Sequence, residues 1–425
     1  MQMQGICHNL RVERHDVVVV GAGAAGIIAA WRAASLGART LLVEKTNRLG
    51  TKILISGGGK CNITHDGPLE DVLRAFRQNE ARFIRPACYR FTNRQIVEML
   101  TDRGLNVYTR EDGRIFPVDQ TAKDVVAILR TYLEDVGVDI RLETPIKEIV
   151  AADGKVKGVR TEDDYFQSPK VILATGGSSY PNSGTTGDGW PWAKGVGHTI
   201  VKVRAALAPI YQNVGEQSPR SGIALRDIIL KARRGTKEVA RWRNDLLFTH
   251  RGISGPTALG ISRVVTECME EGEVSLEVDL KPDVTFEELA GEIKAWCVDN
   301  SRKRMGSYIE EVVPKNLVED LLVAAKIDPT ISGASLGQKD RNRLVEVLKG
   351  WKLGPVRVVP LEKGECVAGG ISLDEVDPQT MKSKLVEGLF LCGEVLDIAG
   401  PVGGYNLQAA FATGFVAGES AATGK

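Results

Sequence analysis

The chain has 425 residues, and 55 Lys and Arg against 54 Asp and Glu leave a net charge of +1. Such a length asks for two or three domains, and the near-balance of charge argues against a dedicated nucleic-acid or polybasic membrane binder. Hydrophobic residues at 43% are ordinary, whereas 46 glycines make roughly 11% of the chain against a usual ~7%.

The start of the chain is polar as far as Arg14 and lacks the apolar core of a signal peptide, and no apolar run is long enough to span a bilayer. A cytoplasmic protein is expected. Cys7, Cys61, Cys88, Cys268, Cys297, Cys366 and Cys392 form no C-x-x-C pair, so neither a zinc site nor a disulfide framework is expected.

Asp16 to Val20 is β-branched and reads as a strand buried on both faces. Gly21-Ala-Gly-Ala-Ala-Gly26 follows, then a small, apolar helix from Ile27 to Leu36 that Gly37 stops. Arg39 to Val43 is a second strand, ending at Glu44. Strand, glycine turn, helix, strand and acid together have the size of one βαβ unit.

Residues 70 to 105 read as mostly helical, and Thr121-Ala-Lys-Asp124 resembles a capping box before a helix that runs to Gly137. Strands are expected over Val138 to Leu142, Ile146 to Ala151, Val156 to Arg160 and Lys170 to Ala174, with an Asp153-Gly154 turn between the second and third. Beyond Pro209 the composition changes. Glu273 to Leu280 alternates as a half-buried antiparallel strand does, Thr285 caps a helix through Cys297, and helical stretches follow near 316 to 326 and 336 to 349. From Val356 buried strands and glycine turns return, and Gly403-Gly-Tyr-Asn-Leu-Gln408 opens a small-residue helix. The expected architecture is α/β: a Rossmann-like domain in two parts, 14–205 and 356–425, with a β-rich and helical region, 206–355, inserted as the substrate domain.

The G-x-G-x-x-G turn carries chemistry because of where it sits. Gly21 permits the tight turn, Gly23 lets the backbone approach a pyrophosphate, and Gly26 lets helix and strand pack closely. The helix start beyond it, Ala24 and Ala25, offers free N–H groups and a positive dipole end to phosphates. Glu44 is placed to accept from ribose hydroxyls. A second fingerprint and a redox cysteine pair are both missing, which disfavours a two-nucleotide disulfide reductase.

Further glycine clusters, Ser56-Gly-Gly-Gly-Lys-Cys-Asn62, Ala174-Thr-Gly-Gly177 and Cys392-Gly-Glu394, suit a long, bent FAD better than a plain nicotinamide. These segments, with Gly113-Arg-Ile-Phe-Pro117, Leu247 to Pro256 and above all Met381 to Asp397 running into Gly403 to Gln408, resemble a bacterial family of FAD-utilising dehydrogenases that includes bile-acid enone reductases. The resemblance spans about Asp16 to Gly418. More distantly, the chain is similar to the fumarate-reductase flavoprotein superfamily.

The resemblance implies non-covalent FAD and assigns its contacts. Gly21, Gly23, Ala24, Ala25 and Gly26 take the pyrophosphate, Glu44 and Lys45 the adenosine ribose, and the backbone of Ile146, on its strand, the adenine. Ala174, Thr175 and Gly176 lie on the adenosine side, Gly393 and Glu394 approach the ribityl or pyrophosphate oxygens, Lys60 and Asn62 line the ring or brace their loop, and Lys52, Ser56, Gly57 and Gly58 are further cofactor-binding candidates. Gly404, Asn406 and Leu407, at a helix start, face the flavin edge and favour its anionic reduced form. Lys60 stands where the family usually has Arg, and Cys366-Val-Ala where Val-Thr is common.

For chemistry, Arg114 can polarise a carbonyl or form a surface ion pair. His250 can act as a general acid or be structural, and Tyr405 can donate a proton or pack. Cys61 suits a buried filler better than a redox centre. No metal is expected. The reading is an FAD-dependent oxidoreductase delivering hydride to a polarised C=C of a small molecule, with NAD(P)H as a transient electron donor. Alternatives are an FAD oxidase of amines or amino acids and a non-enzymatic electron-transfer flavoprotein. Balanced charge argues against a flavin-dependent tRNA-modifying enzyme. The oligomeric state is unspecified.

Overall fold

The run Val17–Val20 is buried on both faces because it occupies the middle of a five-stranded sheet. The strand order is Leu389–Leu391, Val171–Leu173, Val17–Val20, Thr40–Val43, Asp139–Arg141, parallel throughout. Chain direction across the sheet reverses at Val17–Val20. Its carboxyl end is therefore a topological switch point, where doubly wound sheets take their ligands. The computed structural model describes residues 11–213 and 218–424. Cys7 and the polar start as far as residue 10 lie outside the described residues.

The chain divides into two units: the residues up to Val203 together with those from Glu365 onward, and Arg204–Gly364. In the first unit, helix Ala24–Ser35 follows the glycine turn and ends before Gly37, whose φ of +88° suits glycine. Helices Leu69–Arg74, Gln78–Arg90 and Asn93–Thr101 occupy the expected helical stretch. The capping box opens helix Ala122–Asp135, with the Thr121 N–H donating to Asp124 Oδ2 at 2.7 Å.

Glu148–Ala152 and Lys155–Arg160 pair as a hairpin over Asp153 and Gly154, both left-handed as the tight turn requires. The first of these strands begins two residues later than expected. Ile146 precedes it, outside any strand, with its side chain buried. A small sheet of Thr64–His65, Arg114–Pro117 and Val107–Thr109 completes the site-bearing parts of this unit.

The C-terminal helix, Tyr405–Thr423, returns to lie against helix Ala24–Ser35 at backbone contact. A Cβ on Gly414 would stand 2.2 Å from Ala25 O, and one on Gly418 the same distance from Ala29 O. Only glycine fits there.

The second unit is a closed barrel with helices. Its strands are Ile210–Gln212, Gly252–Ser254, Lys237–Thr249, Ala224–Arg234, Ser275–Asp279 and Trp351–Val358. Trp351–Val358 pairs with Ser275–Asp279 and with Ile210–Gln212, so this stretch belongs to the barrel and the unit runs on to Gly364 rather than ending near 355. The helices are Pro256–Met269, Phe286–Asp299, Gly306–Ile309, Val318–Ala325 and Gln338–Lys349. Lys349 is buried but satisfied, its ammonium donating to Lys281 O and Val284 O at 2.7 Å and pairing with Asp279 at 3.0 Å. All six described cysteines are free, and no helix among the described residues is long and apolar enough to cross a membrane.

Two glycine-to-alanine changes separate intrinsic helix propensity from packing. Gly291 in helix Phe286–Asp299 has nothing near its absent Cβ, so Gly291→Ala should stabilise by about 1 kcal/mol. Gly414→Ala should instead destabilise by about 1–3 kcal/mol because of the clash with Ala25 O. Denaturant unfolding of the two variants measures both signs.

Candidate functional site

The glycine turn is built by three different constraints. Gly21 has a φ of +99°, and a Cβ there would stand 2.6 Å from Ala174 O. A Cβ on Gly26 would overlap Gly21 O at 1.8 Å. Gly23, by contrast, faces nothing within 4 Å. Two glycines are thus required by the protein itself, while the third leaves room for something outside it. Gly23 is also the N-cap of helix Ala24–Ser35 and supplies no side-chain cap, so the N–H groups at Ala24 and Ala25 face that open side.

Glu44, at the end of the second strand, is held across the turn. Its Oε2 accepts from Ala22 N–H and its Oε1 from Thr46 N–H, both at 2.8 Å. Lys45 is engaged by Asp188 and Thr186. Across the switch point, Ala174, Thr175 and Gly176 end the neighbouring strand, and Thr175 Oγ1 is buried without a hydrogen-bond partner. Gly189 packs so tightly there that a Cβ would lie 2.2 Å from that hydroxyl.

The segment after the insertion supplies the opposite wall. Gly393 adopts a φ of +75°, and its N–H donates to Thr413 Oγ1 at 3.0 Å. Glu394 Oε1 accepts from Val367 N–H at 3.0 Å, and Oε2 meets the Lys52 ammonium at 2.6 Å. Lys52 also donates to Ser179 Oγ at 2.8 Å. Residue pairs more than 300 apart in sequence are joined here by one ion pair.

At the start of the C-terminal helix, Gly404 is left-handed and touches the Thr64 backbone. Oriented to satisfy both its ends, the Asn62 amide accepts from Gly404 N–H at 2.9 Å and donates to Thr64 O at 3.2 Å. The Asn406 side chain is spent on Gly400, at 2.8 and 2.9 Å, which leaves its backbone and that of Leu407 to face a ligand. Ser56 donates to Ile53 O at 2.8 Å, and Gly57 and Gly58 are left-handed. They carry the chain to Cys61, whose thiol burial pushes up to about 12. A thiol so protonated is a filler, not a nucleophile.

Of the expected catalytic side chains, Arg114 and Tyr405 lie in the first unit with the cofactor residues. Arg114 binds Asp112 Oδ2 through Nε at 2.9 Å, and this bond holds the Asp112 carboxyl below its usual range. Burial raises the Tyr405 phenol, with Asp112 and Asp71 adding to the effect. His250 is an exposed turn residue of the second unit.

Two neighbours were not singled out from sequence. His65, opposite Arg114 in register, stacks on Tyr405 with ring centroids 4.7 Å apart. Glu365 is solvent-accessible yet crowded, and burial raises its carboxyl against the pull of Lys52 and Arg114. Neither lies in a glycine cluster, the signal that led to the other residues.

The open face of Gly23 and the uncapped helix start together fit the expected FAD. Lys52, Glu394 and the backbone at Gly404 to Leu407 would hold its ring half.

The comparisons with known proteins speak to the family and the fold. Residues 15–420 match a family model described as HI0933-like protein Rossmann domain. A ribosomal RNA dihydrouridine synthase of Escherichia coli (strain K12) is 31% identical over 405 residues, 95% of this chain and 96% of the relative. A 3-dehydro-bile acid delta(4,6)-reductase of Clostridium scindens is 28% identical over 408 residues, 95% of this chain and 98% of the relative. The fold is shared with a 3-ketosteroid delta1-dehydrogenase from Sterolibacterium denitrificans, at a TM-score of 0.54 and 15% identity over 97% of this chain and 100% of that one.

Gly23→Ala should separate binding from folding. With nothing within 4 Å of the new methyl, thermal stability should change by less than about 1 kcal/mol. FAD affinity, measured by flavin fluorescence titration, should fall at least about tenfold, or ~1.4 kcal/mol.

Proposed function

We propose that this chain, which belongs to the HI0933-like family of Rossmann-domain proteins, is an FAD-dependent reductase of carbon–carbon double bonds conjugated to a carbonyl, and that its substrate is the uracil ring of ribosomal RNA. The observation that carries the chemistry is the grouping of Arg114, His65 and Tyr405 beside the Gly404 helix start. It joins a cation and a phenolic proton donor to the residues fitted for a flavin.

The names of the relatives point to one chemical class. A uracil ring and a 3-oxo bile acid with ring double bonds both present C=C in conjugation with C=O. Addition of hydride to the β-carbon and a proton to the α-carbon saturates either one. Bound FAD, once reduced by NAD(P)H, would supply the hydride; the protein has to place the substrate and manage one proton. Arg114 polarises the carbonyl, which raises the electrophilicity of the β-carbon. Tyr405, like any phenol, carries its proton at neutral pH, and burial raises it further, so that a proton is there to donate to the α-carbon. NAD(P)H is assigned as a visiting electron donor, since the sequence has no second fingerprint to hold it. His250 has no part in this assignment. The uracil ring is preferred as substrate because the relative named for it is 31% identical against 28% for the bile-acid reductase, both matched over nearly their full length. A substrate in ribosomal RNA implies work in the cytoplasm.

Anaerobically reduced holoenzyme mixed with deproteinised ribosomal RNA should reoxidise, and the digested RNA should contain new dihydrouridine by mass spectrometry. Reoxidation by an unsaturated 3-oxo steroid but not by RNA would keep the chemistry and overturn the substrate. Rapid oxygen consumption with an amine, and no reaction with either acceptor, would overturn both. Arg114→Ala should lower kcat by about 10²-fold with the FAD content unchanged.

A further inference from the structure

The even charge balance of the chain is not spread evenly over the second unit. Along the long barrel hairpin, Arg226, Arg233, Arg234, Arg241 and Arg243 each face a carboxylate, respectively Asp245, Glu277, Glu271, Glu238, and Asp227 with Asp283. That surface is basic in composition and neutral in effect.

A different corner is unmatched. Arg302, Lys303 and Arg304 are consecutive and exposed just past helix Phe286–Asp299, and no carboxylate of the described residues pairs with them. Lys339, in the first turn of helix Gln338–Lys349, is likewise exposed and unpaired. Arg341, on that same turn, donates to Leu336 O at 2.6 Å and is near enough to Cys297 to act on its thiol. Asp299 is the acid adjoining the run, and Asp340 is taken by Arg343 at 2.6 Å.

The backbone of this corner is fixed. Gly333 N–H donates to Lys303 O at 2.9 Å, Ala334 N–H to Ser301 O at 3.0 Å, and Arg304 bridges Ser332. The turn packs on the helix end so closely that a Cβ on Gly333 would lie 3.1 Å from Asn300 O and from Cys297 Cα. A cation or two would suffice to complement the helix dipole at its C-terminus; three in succession, joined by Arg341 from a neighbouring element, exceed that need.

We propose that Arg302, Lys303 and Arg304, with Arg341 beside them, form a docking surface for the phosphate backbone of RNA. The proposal rests on the reading of ribosomal RNA as substrate and adds where the chain grips it outside the reacting base. Unpaired, exposed cations on a fixed backbone release condensed counterions when they meet phosphates, so the grip is electrostatic and sequence-independent. It commits to RNA over a lipid surface.

The test uses full-length holoenzyme and deproteinised ribosomal RNA, with binding followed over a series of KCl concentrations. The triple variant Arg302→Ala, Lys303→Ala, Arg304→Ala should bind about ten- to a hundredfold more weakly near 0.1 M salt, and its log K against log salt slope should flatten by about 2. A control with the same charge change in the other unit, Lys147→Ala, Lys155→Ala, Lys157→Ala, should match wild type. Retained FAD and an unchanged melting temperature exclude misfolding as the cause. If wild type forms dihydrouridine and the triple variant binds RNA with the same affinity and slope, the docking surface is overturned and the substrate reading stands. Equal losses in both triple variants, or loss of binding to anionic phospholipid vesicles in place of RNA, also overturn it. If wild type neither binds nor reduces RNA, both readings fall together.

Discussion

Contact between the backbones of two helices that lie at opposite ends of the sequence holds the first unit together. Gly414 and Gly418 bring the C-terminal helix onto the carbonyl oxygens of Ala25 and Ala29 with no side chain between. That approach sets the position of both helix starts. One ends at the open Gly23, the other at Gly404, and each offers uncapped N–H groups. The ion pair of Lys52 with Glu394 spans the same division. A Rossmann domain interrupted by an inserted barrel is thus closed by close packing at glycine and one charge pair.

Much of this was legible in the sequence because it depends on local rules. Valine runs gave the central strands, Thr121 and Thr285 gave helix starts, and Gly21 to Gly26 gave the phosphate turn with its three separate demands. The capping boxes are local hydrogen bonds and need nothing distant to form. Where the reading slipped, tertiary pairing was the cause. Val356 looks like the return to the Rossmann domain, but its strand is completed by the barrel. Ile146 has the β-branched character of a strand residue, yet the hairpin begins only at Glu148, where a partner strand is available.

The site was legible in its glycines and not in its side-chain pairings. No spacing rule places His65 on Tyr405, because the contact depends on a two-residue strand meeting the start of a helix 340 residues away. Nor does composition announce that Asn406 and Lys45 are occupied by Gly400 and Asp188. Charge behaves the same way. The totals describe the whole chain, whereas matched and unmatched cations are distinguished only when their neighbours are known. Net charge is the same whether cations are matched, as along the barrel hairpin, or unmatched, as at Arg302.

The split of the first unit also dictates an order of events. The sheet lacks its strand Leu389–Leu391, and the first helix its glycine partner, until the last tenth of the chain has been made. Contacts of such sequence separation form slowly and late. During synthesis the inserted barrel, whose strands are all contained in Arg204–Gly364, is in a position to fold before the domain that surrounds it. A dinucleotide that needs both helix starts is held only after helix Tyr405–Thr423 has joined the first helix. A chain shortened by that helix would be left with half a cradle.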